Sequence, residues 1–518
     1  MTTPTPPQTG KRRAETLTGD VSAAPAPQLT KVLDLIDVEA PKPNGQVSIA
    51  QFGDVDAITK ESKGAMVAAG LSVFLDAVEA LEQPFDRIDR TLLDAMIADL
   101  DGRISSKLND VMHHPTFQHL ESSWRGMKML VDRTDFRRNV RIELLQASKD
   151  ELRTSFEDAP ELIQSDLYER VYRRAYDQPG AFPYSAMVSN YEFENTPGDV
   201  ALLERVSKVA ASAHCPFIGA VGPKFFGKSS MEDWRRIPDL KEYMRGIDYT
   251  KWNAFRDTEE SRYVGLVLPR FLLRLPYGQE SLPVRGFNYT ENVGAADGSG
   301  YLWGNAAFAF ASNMSRAFAE NGWCVQIRGP ESGGKVDNLP VHLYDVGRGK
   351  QMKIPTELLF DETLELTCAN HGFIVLSQYE NRDFACFFSA NSAQRPMEYD
   401  TPNATANSRI NARLPYIFLA SRMGHFLKVM QRENIGATKD RATIEGELNR
   451  WLKSLITETP NPPEDVVAKH PLRAGQVTVH DIAENPGFYR VAMSIMPHFQ
   501  IEGMDITLSL VGKMPKSK

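Results

Sequence analysis

The chain has 518 residues, a formal net charge of −8 at pH 7, 42% hydrophobic and 24% charged residues. Such a length holds several packed cores, and the balance is ordinary for a soluble protein. No Lys/Arg block forms a nucleic-acid footprint, no apolar run approaches the ~20 residues of a membrane span, and MTTPTPPQTGKRR has no apolar stretch behind its charges, so nucleic-acid binding, membrane insertion and secretion by a leader are excluded and the cytoplasm is expected.

Residues 1–59 read as an extended arm, rich in Pro, Thr, Ala and Ser at its start. Within it LTKVLDLIDVEA (29–40) is an apolar island. Leu33 and Leu35 alternate about Asp34 as in a strand, while Leu29, Val32, Leu33 and Ile36 fit a helix turn, so periodicity leaves both open. An island without its own core docks on this chain or another.

Residues 60–135 read as helical. Val67, Leu71, Phe74, Val78 and Leu81 form a narrow seam, Pro84 ends it, and Leu93, Ile97, Leu100, Ile104 and Leu108 continue a similar stripe. Either the seams cover the region's own core or they receive a partner helix. A further helix starts at Pro115, with Phe117, Leu120, Trp124, Met127 and Val131 on its apolar face.

Residues 136–405 alternate strand and helix, which predicts α/β layers. Strands are expected at 140–147, where Val140, Ile142 and Leu144 alternate with charges, and at 186–193, 216–222, 263–268, 323–329, 373–380 and 383–390. Helices are expected near 161–175, 199–214, 303–320 and 361–370, and Asn381-Arg382 is a candidate hairpin turn. Residues 406–518 add helices at 408–434, with Pro415 kinking or starting the first, and at 440–456. Strands at 475–482, 488–498 and 504–512 complete the chain and leave an edge to receive another chain's strand.

The sharpest chemical motif is GPKFFGKS, residues 222–229, which fits G-x-x-x-x-G-K-[ST] after an apolar strand. In a nucleotide-binding loop Lys228 would reach phosphates and Ser229 would hold Mg²⁺. Pro223 and the Phe225–Phe226 pair replace small loop residues, Pro238 shortens any helix behind Lys228, and no Walker-B strand follows. A P-loop enzyme acting through Gly222–Ser229 is therefore the alternative and not the main reading. GPESGGKV (329–336) lacks the required Ser or Thr. His113, His114 and His119 have no carboxylate or Cys at ligand spacing and read as helix-start and surface residues. Cys215, Cys324, Cys368 and Cys386 are widely spaced and read as small buried hydrophobes in a reducing compartment. No catalytic residues, metal site or cofactor are expected.

HHPTFQHLESSWRGMKMLVDRTDFRRNVRIELLQASKDEL (113–152) closely resembles the signature of the large subunit of the contractile sheath in bacterial type VI secretion systems. The resemblance extends through VAASAHCPFIGAVGPKFFG (209–227), RDTEESRYVGLVLPRFLLRLPYG (256–278), YLWGNAAFAFA (301–311), KIPTELLFDETLELTCANHGFIVL (353–376), ARLPYIFLASRMGHFLKVMQRENIG (412–436) and PGFYRVAMSIMPHFQIEGMDITLSLVG (486–512). It implies contractile-tail-sheath-like α/β domains with an N-terminal helical hairpin and an extended arm. It further implies a non-enzymatic subunit that pairs with a small sheath subunit and with further copies of itself. Together they form a sixfold helical sheath around an inner tube of hexameric rings, seated on a baseplate and attached through it to the envelope, and contraction drives tube and spike outward.

The resemblance assigns the small-subunit contact to Val67, Leu71, Phe74, Val78, Leu81, Leu93, Ile97 and Leu100. It assigns strand exchange between neighbours to Leu33, Leu35, Ile36 and Val38 of the arm, received by Val477 and Val479. Two departures stand out. Ser189–Asn190 precede the Tyr-Glu-Phe triplet where the family commonly has Gly-Asp. The first 60 residues match poorly, and the helix by which some relatives recruit a recycling unfoldase ATPase has no clear equivalent in this Pro-rich arm.

Overall fold

A computed structural model describes residues 90–498, with Gly70 and Ser72, apart from 179, 296, 346, 348, 380, 381, 383, 437, 458, 460, 461 and 482–488. Leu33, Leu35, Ile36 and Val38, the seam of Val67, Leu71, Phe74, Val78 and Leu81, and the strand expected at 504–512 lie outside the described residues. The chain divides into two compact units, residues 1–118 and 119–518.

In the first unit, helix α1 (Arg90–Met112) carries the second stripe. Ile97 is 49% exposed, and Leu100, Ile104 and Leu108 are half-buried; the side chain of Leu93 is outside the described residues. Helix α2 (Pro115–Asp132) begins with Pro115 in its first turn, and the Thr116 N–H donates to His114 Nδ1 (3.3 Å).

In the second unit the rest of α2 departs from its predicted face by about one residue's rotation. Gly126 and Leu130 are buried, whereas Trp124 is 64% and Val131 39% exposed. The cause is close approach: a Cβ at Gly126 would lie 2.4 Å from Phe308 Cδ2, so the glycine admits the phenylalanine ring. Residues 140–147 also depart. They carry strand-like alternation but join no ladder, and Leu144 and Leu145 stay exposed. A strand needs a neighbour for its backbone groups, and the described residues supply none there.

Helix α3 (Lys149–Asp158) opens with a capping box in which Ser148 and Glu151 exchange side-chain and backbone bonds. Lys149 Nζ and Arg153 Nη2 reach the buried Asp199 at 2.8 and 3.2 Å, which fastens α3 to helix α4 (Pro197–Ala213). The helix expected at 161–175 is a single α turn running into a π-helical Glu169–Asp177, along which Tyr168 stacks on Tyr172 (4.9 Å) and Tyr172 meets Tyr176 at a tilt (5.1 Å).

The strands are β1 (Met187–Phe193), β2 (Phe217–Val221), β3 (Val264–Leu268), β4 (Phe271–Leu272), β5 (Trp303–Gly304), β6 (Lys335–Val336), β7 (His342–Asp345), β8 (Lys350–Lys353), β9 (Phe373–Gln378), β10 (Ala385–Phe387), β11 (Leu472–Asp481) and β12 (Tyr489–Pro497). The central sheet runs β1-β2-β3-β9-β10-β6. β1, β2, β3 and β9 are parallel, and β10 folds back antiparallel on β9. β2, β3 and β9 are buried along their whole length, which is why FIGAV, VGLVL and FIVLSQ read as continuous apolar runs. Helix α5 (Ala306–Asn321) and α4 pack against the sheet. Residues 323–329 form no strand; the loop beyond them is held by Arg316, whose Nη2 donates to the carbonyls of Gly333 (2.9 Å) and Lys335 (2.7 Å).

Helix α6 (Glu362–Asn370) precedes β9, and helix α7 (Leu414–Glu433) begins with Pro415 in its first turn, so the proline starts the helix and does not kink it. His425 of α7 donates from Nε2 to the Ala213 carbonyl (3.1 Å), while its buried Nδ1 has no partner among the described residues. Helix α8 (Arg441–Lys453) and the hairpin β11–β12 close a second core around Leu419, Met423, Leu448, Leu452, Leu472 and Val477.

Candidate functional site

The nucleotide-loop motif folds into something else. Pro223–Phe226 form a 3-10 turn ended by Gly227 at φ +63°. The amides of Phe225, Gly227 and Lys228 donate to the carbonyls of Gly222, Lys224 and Pro223 at 3.0–3.1 Å, so they do not converge on an empty cradle. Phe225 and Phe226 are fully buried against Trp252, Trp234 and Phe373. Ser229 Oγ donates to Asp233 (2.8 Å), and Lys228 Nζ lies over the Tyr243 ring. The Glu192 carboxylate presses on Gly222, with Oε1 at 1.8 Å from where a Cβ would stand. The acid beside the loop disfavours phosphate, and the Phe225, Gly227 and Lys228 amides are spent on the turn itself.

Among the described residues no group of three or more His, Cys, Asp or Glu is arranged to hold a metal ion. The cysteines are unpaired thiols. Burial pushes each thiol up, Cys324 and Cys386 to about 12, so they are inert as nucleophiles. No described helix is long and apolar enough to cross a membrane.

What the second unit builds with care is structural. Arg274, nearly buried, lies between two carboxylates. Its Nη1 and Nη2 meet Glu291 at 2.6 and 3.0 Å, and its Nε meets Glu121 of α2 at 2.8 Å. Arg125 adds a second cation to Glu121 at 2.7 Å. Burial alone would push the Glu121 carboxyl up, but the two guanidiniums outweigh it and hold it below the usual range.

The other construction is the terminal hairpin. Val477 faces Met493, Thr478 faces Ala492 and Val479 faces Val491 across the antiparallel ladder. Val477 and Val479 are buried, and their main-chain groups turn away from β12. The Val477 N–H donates to Asn449 Oδ1 (2.9 Å) and its carbonyl accepts from Asn449 Nδ2 (2.7 Å). The Val479 N–H donates to Glu445 (3.0 Å) and its carbonyl accepts from Arg441 (3.2 Å). At the start of the strand, Leu472 N–H donates to the Leu455 carbonyl and its own carbonyl accepts from Thr457. The outer edge of β11 is therefore occupied at Leu472, Val477 and Val479.

Because alternate residues of an antiparallel pair point their main-chain groups opposite ways, Val491, Met493 and Ile495 direct theirs to the far edge of β12. Among the described residues nothing pairs with that edge. Sequence reasoning missed Arg441, Glu445 and Asn449. Their four-residue spacing was the available signal, and it reads equally as a solvated helix face.

Residues 94–394 match the family described as EvpB/VC_A0108, tail sheath N-terminal domain, and residues 403–514 match EvpB/VC_A0108, tail sheath gpW/gp25-like domain. The type VI secretion system sheath protein TssC1 of Pseudomonas aeruginosa is 39% identical over 430 residues, 82% of this chain and 86% of that protein. Among solved structures, the anti-feeding prophage baseplate aligns at 10% identity and a TM-score of 0.37 over 72% of this chain and 83% of that one. The contracted PVC sheath complex of an extracellular contractile injection system aligns at 10% identity and a TM-score of 0.32 over 59% and 68%. On the two family matches and the identity to TssC1, the chain belongs to the EvpB-type tail sheath family and is a sheath subunit of a type VI secretion system.

Proposed function

We propose that this subunit works in the cytoplasm without catalysis. It pairs with a small sheath subunit and polymerises with further copies of itself around an inner tube on a baseplate, and on contraction it propels tube and spike toward a target cell. The small-subunit contact is assigned to α1, where Ile97 and Leu100 keep exposed surface, and to the preceding seam of Val67, Leu71, Phe74, Val78 and Leu81 with Leu93. Neighbouring copies are linked by a strand from Leu33, Leu35, Ile36 and Val38 of one arm, added to the terminal hairpin of the next. Val477 and Val479 belong to that hairpin, and their main-chain groups are bonded to Asn449, Glu445 and Arg441.

The sheath-family matches over residues 94–394 and 403–514 carry this reading. Co-expression with the small sheath subunit of the same genome, followed by electron microscopy, tests it. Hollow helical tubules are expected. A soluble monomer that forms none would overturn it. Deleting residues 29–40 is expected to abolish tubules while the pair with the small subunit survives; tubules from the deletion would remove the arm from the lattice.

A further inference from the structure

The winding of Glu169–Asp177 is not the one its sequence favours. ERVYRRAYD contains no glycine or proline, and Glu, Arg and Ala are good α-formers. The start is ordinary. Ser165 accepts from the Tyr168 N–H (3.4 Å), and the Glu169 N–H donates to the Ser165 carbonyl (3.0 Å), one α turn back. The Ser155 hydroxyl of α3 donates to the Asp166 carboxylate at 2.9 Å and fixes that end. From Glu169 onward the chain is wound wider, as a π-helix of nine residues. Such windings are rare and mostly single turns inside α-helices, so a run of this length needs support from outside.

Helix α7 supplies it. His425, Lys428 and Arg432 stand three and four residues apart on one face of α7. Arg432 Nη1 donates to the carbonyls of Tyr176 (2.9 Å) and Gln178 (3.4 Å), at a helix end whose carbonyls have no partners within the helix. The Lys428 ammonium lies 4.7 Å from the centre of the Tyr172 ring and 4.3 Å from that of Tyr176. His425 meets the Tyr176 ring edge-on at 5.7 Å, and both residues donate to the Ala213 carbonyl, where α4 ends. Each contact depends on where the wide winding puts Tyr172 and Tyr176. An α-helix has fewer residues per turn and rises about 1.5 Å for each. Rewinding would therefore carry Tyr176 round the axis, away from Ala213, Lys428 and Arg432 together.

We infer that Glu169–Asp177 is a two-state latch: Lys428 and Arg432 hold it in the wide winding, and displacement of α7 against α4 lets it rewind to α. The states are discrete, since a helical amide bonds either four or five residues back. Met423 of α7 lies in the second core with Leu472 and Val477 of the terminal hairpin, so α7 ties the latch to that hairpin. Rewinding lengthens the segment and feeds the extra length into residues 178–186, which lead into β1. The latch belongs to the single subunit, so its test is separate from that of tubule formation.

Gln164 and Gln178 flank the segment and are exposed. In the purified full chain they take nitroxide labels as Gln164→Cys/Gln178→Cys, with the two single substitutions as labelling controls. Double electron–electron resonance is expected to give one narrow distance. Adding Lys428→Ala/Arg432→Ala is expected to bring in a second, longer distance. A single unchanged distance in that variant overturns the inference, because the winding then needs no clamp. A broad smear overturns it as well, being the mark of a frayed end and not of a second winding. Hydrogen exchange of the unaltered chain decides the matter even if the variant does not fold. The amides of 169–177 are expected to exchange well ahead of those of α4 and α7, through an opening that leaves both helices intact. Exchange in step with α4 would overturn the latch.

Discussion

Arg274 and Glu291 meet through two parallel hydrogen bonds in an interior where the arginine is 5% and the glutamate 0% exposed. Glu121 on α2 joins from the other side, so one guanidinium fastens the signature helix to the loop that follows β4. Arg274→Ala would strand two buried carboxylates. Loss of one partner of such a pair costs about 3–5 kcal/mol, and chemical denaturation of the purified chain should show a fall of that order. Arg274→Lys keeps the charge without the fork and should lose less. Since the folded Glu121 carboxyl is held below its ordinary value, its contribution is present above the unfolded value of 4.5 and fades as pH falls through the lower folded value.

His425 gives a second acid-sensitive element with a different window. Burial is the main cause that lowers it from 6.5 to about 4, and the neighbouring His214, Arg422 and Lys428 add to it. The unfolded chain takes up this proton first, so stability is present above pH 6.5 and is lost as pH falls toward 4. The loss is roughly 3 kcal/mol at full development. Melting temperature should therefore drop between pH 7 and pH 5, and His425→Gln should flatten that slope by about one proton.

The two faces of α2 answer differently to substitution. Gly126→Ala forces a methyl group onto the Phe308 ring and should destabilise the chain by about 1–3 kcal/mol. Trp124→Ser alters an exposed position and should stay within about 0.5 kcal/mol in the same denaturation experiment. Equal losses would mean that the apolar stripe, and not the glycine face, packs inward.

Lys228→Ala should leave both folding and tubule formation unchanged, because the Lys228 ammonium lies over the Tyr243 ring and outside the packed core. Calorimetric titration of the unaltered chain with Mg-ATP should show no saturable heat. Binding lost on substitution would restore the phosphate reading of Gly222–Ser229.

Much of this was legible in the sequence for identifiable reasons. β2, β3 and β9 are short apolar runs because both their faces are covered, and Ser148–Glu151 and Pro415 mark helix starts by local chemistry alone. What escaped depends on distant partners. The stripe through Trp124 and Val131 is apolar, yet Phe308 selects the other face by entering at Gly126. The alternation at 140–147 is real, but the described residues offer it no neighbouring strand. Glu192 and Gly222 are far apart in sequence, so the acid that disqualifies the phosphate loop appears only in three dimensions. Asn449 and Val477 are joined the same way.

The cover that α8 gives β11 has a consequence for the subunit on its own. Val477 and Val479 spend their outward main-chain groups on Asn449, Glu445 and Arg441, so this stretch of strand offers no template to a second molecule. Three polar side chains one helical turn apart thus act as a safeguard against aggregation along that side of the hairpin.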